Sequence, residues 1–270
     1  MWAFSCGVIA AGAAFGGRWW VLALGICLTG PLVCATSQAV NDWYDRHVDA
    51  INEPDRPIPS GRIPGQWGLY VAIAWTALSL VAAALLGTIG LVATTIALAL
   101  AWAYSAPPIR LKQNGWWGNL AVGFTYEGLA WFTGTAIMLG GTMPPAPVII
   151  LAVLYSLGAH GIMTLNDFKS IEGDLTFGIR SLPAALGPHR AAWVACAAMI
   201  IPQHLVIALM LAWDRTGAAI AISALVVVQL MMMARFLKAP RKHALFLSAA
   251  GVPFYVSGMM VSAFAVRGLV

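Results

Sequence analysis

Charged residues are scarce in this sequence: Asp, Glu, Lys and Arg make up only 9% of its 270 residues, whereas 60% are hydrophobic. A soluble globular domain carries about 25% charged residues, so the chain does not have the composition of a soluble enzyme. A membrane-crossing helix needs about 20 apolar residues, and the length therefore allows about eight or nine such helices with short connections. No room remains for a separate soluble domain, which excludes Rossmann, barrel and sandwich enzymes.

Cysteine is also scarce, and it gives no metal-binding or disulfide pattern. The four cysteines lie within apolar runs, and none of them forms a CxxC pair. Such surroundings are typical of cysteines that act as small packing residues. The excess of 15 basic over 10 acidic residues does not by itself indicate nucleic acid binding, because basic residues beside membrane helices more often set orientation. The N-terminus lacks the basic start of a cleaved signal peptide, and we interpret it as part of the first helix.

Glycine and proline divide the apolar sequence into nine stretches, each of which predicts one transmembrane helix. The stretches lie at about 1–16, 19–40, 66–86, 88–104, 116–140, 146–165, 189–211, 216–237 and 244–266. The predicted fold class is therefore all-α: a polytopic bundle of nine transmembrane helices that forms a single membrane domain over residues 1–270.

The distribution of basic residues predicts the orientation of this bundle. The longer loops follow the second, fourth, sixth and eighth helices, so that all four emerge on one face. They contain twelve Arg and Lys residues, against three, Arg18, Arg215 and Arg267, on the other face. Because basic residues mark cytoplasmic loops, we expect a multi-pass membrane protein whose longer loops face the cytoplasm.

Eight of the ten acidic residues lie in two of these loops, at about 41–65 and 166–187. The string NDWYDRHVD at 41–49 aligns with NDFKSIEGD at 166–174, and an arginine, a proline and a glycine follow both at similar distances. Such self-similarity indicates an internal duplication. We therefore predict two related half-bundles, each of which contributes one acidic loop to a shared central cavity.

The spacing of the acidic residues favours a metal site. Positions 42, 45 and 49 of a helix lie on one face, where like charges repel unless cations neutralise them. Hard oxygen ligands of this kind select Mg²⁺. A solvated charged loop is the alternative, but a second copy in register is hard to explain by solubility. The predicted catalytic and metal-binding residues are Asp42, Asp45, Asp49, Asp167 and Asp174, with Asn41, Asn166 and Glu172 as further candidate ligands.

Basic residues near these loops indicate a phosphorylated ligand. Mg²⁺ that is held by one or two carboxylates keeps its other positions for water and substrate phosphate, and basic side chains can clamp the outer oxygens of a diphosphate. Within apolar helices, the rest of such a substrate would be a lipid, for which an isoprenyl chain is the obvious candidate. Each basic residue could instead act only as an orientation signal. The candidate diphosphate ligands are Arg46, Arg56, Arg110, Lys112, Lys169 and Arg180.

These motifs resemble those of the UbiA-type intramembrane prenyltransferases. NDWYDRHVD resembles the first aspartate-rich motif of that family, NDFKSIEGD the second, and YSAPPIRLK at 104–112 the loop between them. The longer strings NDWYDRHVDAINEPDRPIPSGRIPG, YEGLAWFTG and GIMTLNDFKSIEGD are similar to the chlorophyll synthase branch, most of all to its bacteriochlorophyll synthases. Two features differ: Ser170 stands where many relatives of other branches have an aspartate, and the chain opens inside what resembles the first helix, so we expect a preceding segment.

The resemblance implies both a fold and a reaction. It implies a nine-helix bundle that binds a polyprenyl diphosphate through Mg²⁺ between the two motifs. The reaction would esterify the propionate carboxylate of bacteriochlorophyllide a with geranylgeranyl or phytyl diphosphate and release diphosphate. The protein would lie in the inner membrane of the cell, either cytoplasmic or intracytoplasmic and photosynthetic, and could associate with other pigment-biosynthesis membrane proteins. Candidate residues of the prenyl and pigment pocket are Trp43, Tyr104, Glu127, Trp131 and His160, although Glu127 and His160 could instead make hydrogen bonds between helices.

Three other functions remain open. A chlorophyll synthase would use the same motifs with another pigment. An aryl prenyltransferase of quinone biosynthesis would attack through ring carbon and then need a base to remove a ring proton. A cation transporter also carries intramembrane acids and repeats, but its acids lie near the midplane and its repeats are often inverted. Here the acids lie at one face and the repeat is parallel, which disfavours transport.

Overall fold

The computed structural model describes residues 1–13, 17–267 and 269. Over these residues the regular elements are helices and no β-strand is present, which confirms the all-α prediction. The helices are α1 (Trp2–Ala10), α2 (Trp19–Cys27), α3 (Val33–Asn52), α4 (Trp67–Leu85), α5 (Thr88–Ser105), α6 (Gly115–Gly123), α7 (Ala130–Met138), α8 (Ala146–Asp167), α9 (Ile171–Thr176), α10 (Leu182–Leu186), α11 (Pro188–Ala212), α12 (Thr216–Lys238), α13 (Pro240–Phe246) and α14 (Val252–Val266).

Three π-helical turns join consecutive helices into longer rods. Leu28–Leu32 connects α2 to α3, Phe124–Leu129 connects α6 to α7, and Leu247–Gly251 connects α13 to α14. The first turn contains Pro31, which has no N–H to donate and would clash with the preceding turn of a regular α-helix. A wider turn accommodates it. Such turns are frequent at functional sites, and the second of them carries one of the predicted pocket residues, Glu127.

Seven helices in the described part of the chain are long and apolar enough to cross a membrane: Trp19–Ile51, Trp67–Leu85, Thr88–Ser105, Ala146–Asp167, Pro188–Ala212, Thr216–Lys238 and Pro240–Val266. They show a multi-pass membrane protein, but the predicted count of nine is not confirmed. The stretch predicted at 1–16 contains the nine-residue helix α1, and its last three residues lie outside the described ones. The stretch at 116–140 contains α6, a π turn and α7, whose apolar character is reduced by Asn119 and Glu127.

The two acidic motifs end helices that pack in different groups. Helix α3 packs on α4 and α5, whereas α8 packs on α6 and α11, and α11 packs in turn on α12. Glycine allows the close contacts of α8. A Cβ atom at Gly123 of α6 would lie 2.5 Å from the backbone oxygen of Ser156, and one at Gly161 of α8 would lie 2.3 Å from that of Ala195. Small residues permit such close approach of membrane helices, and here they allow α6 and α11 to pack closely against α8.

Candidate active site

The two acidic motifs line one cavity of about 630 Å³. Asp45 and Asp49 reach it from the last turns of α3, whereas Asp167 reaches it from the end of α8 and Asp174 from α9. The structure therefore brings the two loops together at one site, as predicted for a shared cavity. The other predicted residues in its lining are Asn41, Arg56, Tyr104, Lys112, Asn166, Lys169 and Glu172.

Arg56 neutralises two carboxylates of the first motif. Its Nη1 atom lies 3.0 Å from Oδ1 of Asp42 and 2.9 Å from Oδ2 of Asp49, and its Nε donates to Glu53 at 2.5 Å. Burial lowers the pKa of Arg56, but the hydrogen bond to Glu53 and the charges of the three carboxylates act more strongly together and raise it above its usual value. The cation that the like-charged helix face requires is thus supplied by a side chain of the same loop.

Asp45 is held by two basic residues of the loop that follows α5. Its carboxylate forms an ion pair with Nζ of Lys112, lies 3.3 Å from Nη2 of Arg110, and accepts a hydrogen bond from Nδ2 of Asn41 at 3.0 Å. The Lys112 side chain is only 7% exposed. Burial therefore lowers the pKa of Lys112, and the charge of Asp45 opposes that effect. A basic residue is thus fixed at the cavity wall beside the first motif.

Neutral hydrogen-bond donors hold the carboxylates of the second motif. Nδ2 of Asn119 donates to Asp167 at 3.0 Å. Asp174 accepts from Oγ of Ser181 at 2.5 Å and from Oγ of Ser170 at 3.0 Å. Burial raises the pKa of Asp174, and the two serine hydrogen bonds oppose that rise. Asn119 and Ser181 were missed by the sequence analysis, since neither lies in an acidic motif.

Backbone pairing ties the loop after α5 to the second acidic loop. The N–H of Gly115 donates to the carbonyl of Arg180 at 2.9 Å, and the N–H of Arg180 donates to the carbonyl of Gln113 at 3.0 Å. A side chain at Gly115 could not be accommodated, because its Cβ would lie 2.6 Å from the backbone nitrogen of Leu182. Arg180 itself is exposed and lies outside the cavity lining, so its backbone, and not its guanidinium, contributes to the site.

Some predicted residues are held elsewhere. The Arg46 guanidinium lies over the Trp43 ring, 4.1 Å from its centre, and neither residue lines the cavity. Arg110 and Asp42 also lie outside the lining, although both contact residues within it. Glu172 lines the cavity but is exposed and pairs with Arg241 of α13 at 2.7 Å. The structure therefore concentrates the predicted site on fewer side chains than the sequence suggested.

A less polar cavity of about 380 Å³ continues from the first one. Both are lined by Asn41, Tyr104 and Asn166, and the second extends along the inner faces of α3, α6 and α8 to Tyr126 and Glu127 in the π turn. A polar chamber therefore opens into a more apolar one, with Tyr104 at their junction.

Two predicted pocket residues belong to other parts of the fold. Trp131 is fully buried and stacks on Tyr155, with ring centres 5.7 Å apart. His160 lines a separate cavity of about 330 Å³ together with Trp116 and Trp117. Among the described residues its Nε2 has no hydrogen-bond partner. The structure thus does not bring Trp131 or His160 into the two connected chambers.

The charge of the polar chamber favours bound cations. Among the residues that the structure describes, six carboxylates and three basic side chains line it. In the same residues no three His, Cys, Asp or Glu side chains converge closely enough to enclose a metal by themselves. An ion such as Mg²⁺, which often uses only one or two carboxylates and completes its octahedron with water and phosphate oxygens, fits this donor set. The described residues do not form a metal cage made of protein ligands alone.

Comparison with known proteins gives the family. A model of the UbiA prenyltransferase family matches residues 1–258. The "Bacteriochlorophyll synthase 33 kDa chain" of Rhodobacter capsulatus is 53% identical over 99% of this chain and 89% of that protein. "Chlorophyll synthase, chloroplastic" of Avena sativa is 39% identical over 96% of this chain and 71% of that protein. The structure of a UbiA homolog from Archaeoglobus fulgidus bound to DMAPP and Mg²⁺ matches with a TM-score of 0.66 at 20% identity, over 100% of this chain and 96% of that chain. The last likeness shows the fold, and the family match and the two relatives show that the chain belongs to the UbiA prenyltransferase family.

Proposed function

We propose that this prenyltransferase is a Mg²⁺-dependent bacteriochlorophyll synthase. It joins geranylgeranyl or phytyl diphosphate to the propionate carboxylate of bacteriochlorophyllide a and releases diphosphate. The name of the Rhodobacter capsulatus relative supports this choice, as do the long motif strings of the two acidic loops. The observation that carries it is the pair of connected chambers, one rich in carboxylates and the other largely apolar.

The two chambers match the two parts of a prenyl diphosphate. An apolar chain gains about 25 cal/mol for each Å² that it removes from water, and the less polar chamber supplies such a surface. A diphosphate in the polar chamber would face an excess of carboxylates, so it needs cations between itself and the protein. Proposed ligands for Mg²⁺ in the lining are Asp45, Asp49, Asp167 and Asp174. Asp42, which shares Arg56 with Asp49, is a further proposed ligand.

The chain's own side chains assist departure of the diphosphate. Breaking the bond between C1 and its oxygen leaves an allylic cation and a highly charged leaving group, which preorganised charges stabilise. Lys112, Lys169 and Arg56 line the chamber where that charge develops. Bound Mg²⁺ would supply further positive charge to the leaving diphosphate. The carboxylates of the chamber orient the basic side chains and Mg²⁺ and take no part in bond formation themselves.

The acceptor requires no general base from the protein. A propionate has an unperturbed pKa near that of Glu, about 4.3, and is therefore anionic near neutral pH. Its oxygen attacks C1 directly, and no proton has to be removed. Water is the competing nucleophile, and enclosure of the reacting carbon between packed helices excludes it. An aryl acceptor would instead need a base near C1.

The membrane orientation belongs to the same proposal. The basic residues of the longer loops support a position of the acidic chamber on the cytoplasmic face of the inner membrane. In this orientation the pigment acceptor reaches the polar chamber from the cytoplasm, whereas the prenyl chain of the donor enters from the bilayer. Other pigment-biosynthesis membrane proteins remain proposed partners.

Membranes that contain the protein test the acceptor directly. They are incubated with geranylgeranyl diphosphate, Mg²⁺ and one of three acceptors: bacteriochlorophyllide a, chlorophyllide a or 4-hydroxybenzoate. We expect ester formation with bacteriochlorophyllide and its loss on chelation of Mg²⁺. Chlorophyllide is the second candidate acceptor, because the Avena sativa relative is named a chlorophyll synthase. Prenylation of the benzoate alone would overturn the proposal.

A further inference from the structure

One face of α3 forms a continuous wall from the polar chamber into the bundle. Asn41 and Gln38 line both connected chambers, whereas Ser37 and Cys34 line the second chamber and also a third cavity beyond it. These positions lie on one side of a helix. At a rise of about 1.5 Å per residue, Cys34 lies about 16 Å along the helix from Asp45. A chain whose diphosphate lies at Asp45 therefore runs past Gln38 toward Cys34.

The passage closes at a contact between Cys34 and Tyr126. Sγ of Cys34 donates to the hydroxyl of Tyr126 at 3.7 Å, and both residues line the chambers on either side. The free volume falls from about 380 Å³ before this pair to about 40 Å³ beyond it. Tyr126 reaches this point because it lies in the π turn Phe124–Leu129, which changes the direction of side chains relative to a regular helix.

Met1, Leu28 and Leu129 line the cavity beyond the contact, together with several small side chains. The small side chains include Ala93, Thr94 and Ala97 of α5 and Ala130 of α7. Tyr126 lines this cavity and the second chamber. Its ring therefore limits the depth of the passage between them.

We infer that the Cys34–Tyr126 contact determines the longest prenyl chain that the site accepts. This inference rests on the proposed function and concerns the donor alone. An isoprene unit that reached Cys34 would have to displace the Tyr126 ring, and overfilling a packed site is unfavourable. A shorter donor leaves the last part of the chamber empty and loses buried apolar surface. The pair thus discriminates between donors that differ by whole isoprene units.

The test compares donor preference in Tyr126→Ala with that in the unmodified chain. Membranes receive bacteriochlorophyllide and one of four diphosphates: geranyl, farnesyl, geranylgeranyl or the next longer homologue. The ratio of kcat/KM between successive donors is measured. In Tyr126→Ala this ratio should shift at least about tenfold in favour of the donor that is one isoprene unit longer than the one preferred by the unmodified chain. Single methylene-sized differences in a pocket already give about 10- to 200-fold discrimination.

Three further variants test whether the Cys34–Tyr126 contact itself determines the donor preference. Cys34→Leu narrows the near side and should shift preference toward a shorter donor, which keeps the test decisive if Tyr126→Ala does not fold. Ala97→Leu in the Tyr126→Ala chain should cancel the shift by refilling the far cavity. Tyr70→Ala removes a tyrosine that is 50% exposed on α4 and should leave the preference unchanged.

Two results have different meanings. Prenyl transfer by Tyr126→Ala and Cys34→Leu with the unmodified order of donors would overturn the inference and leave the proposed function standing. Absence of pigment prenylation by the unmodified chain with every donor would instead refute the proposed function.

Discussion

Replacing Asn119 by leucine tests how the second acidic motif is held. Asn119 lies on α6 and is 3% exposed, and its amide donates to Asp167 at 3.0 Å and to Oγ1 of Thr164 at 3.2 Å. Thr164 keeps a partner when the amide is lost, because its hydroxyl donates to the carbonyl of His160 at 2.9 Å. The substitution therefore removes mainly the support of Asp167, while leucine keeps the branched shape of the side chain.

The size of the effect follows from that single hydrogen bond. A hydrogen bond to a charged group contributes about 1.5–3 kcal/mol, and about 1.4 kcal/mol corresponds to a factor of ten. Loss of a group that orients a metal ligand typically lowers metal affinity or activity about 10- to 100-fold. We therefore expect Asn119→Leu to raise the Mg²⁺ concentration for half-maximal turnover by about 10- to 100-fold, with turnover largely recovered when Mg²⁺ is saturating.

The assay is a Mg²⁺ titration of pigment esterification in membranes, with Gln203→Leu as the matched control. Gln203 is also a fully buried amide, but it pairs with Gln229 at 3.1 Å between α11 and α12, away from both chambers. That control should lower thermal stability and leave the Mg²⁺ titration unchanged. An unchanged titration in Asn119→Leu would refute the role of Asp167 as a metal ligand that Asn119 orients.

Three further predictions distinguish charged residues that stabilise the fold from those that act in turnover. Asp45→Asn leaves Lys112, whose side chain is 7% exposed, without an ionised partner, and breaking a buried pair costs about 3–5 kcal/mol. Adding Lys112→Met should restore thermal stability in detergent but not turnover. Recovery of both would contradict the proposed site. Lys169→Ala should raise KM for the prenyl diphosphate about two- to fivefold, as expected for loss of an exposed charge contact of about 0.5–1 kcal/mol. Arg46→Ala, outside the chamber, should leave this KM unchanged. Equal effects of the two variants on KM in steady-state kinetics would argue against the chamber as the diphosphate site. Glu172→Gln should change kcat/KM by less than about twofold, because its exposed carboxylate is already paired with an arginine; a loss of tenfold or more would make it a metal ligand.

The first acidic motif shows what the sequence could predict. The spacing of Asp42, Asp45 and Asp49 required one helical face and nearby cations; α3 provides the face, and Arg56 and Lys112 provide the cations. The identity of the neutralising groups could not be predicted in the same way. Arg56 and Lys112 reach this face through two loops whose course depends on turns and backbone pairing, and six basic residues were equally plausible from charge alone.

The supports of the second motif illustrate a different limit. Asn119 contacts Asp167 from 48 residues away, and only the close packing of α6 on α8 at Gly123 makes that contact possible. A single asparagine in an apolar stretch carries no periodic signal for such a role. The predicted count of nine helices is not confirmed for a related reason, since the polar residues Asn119 and Glu127 lower the apolar character of the stretch 116–140.

The most direct measurement is the pigment composition of cells that lack this protein, compared with cells that carry it or its Asp167→Asn variant. We predict accumulation of unesterified bacteriochlorophyllide in the deletion, restoration of the prenyl ester by the unmodified protein, and continued accumulation with Asp167→Asn although that variant inserts into the membrane. Normal esterified bacteriochlorophyll in the deletion strain would contradict the proposed function, and full restoration by Asp167→Asn would contradict the proposed site.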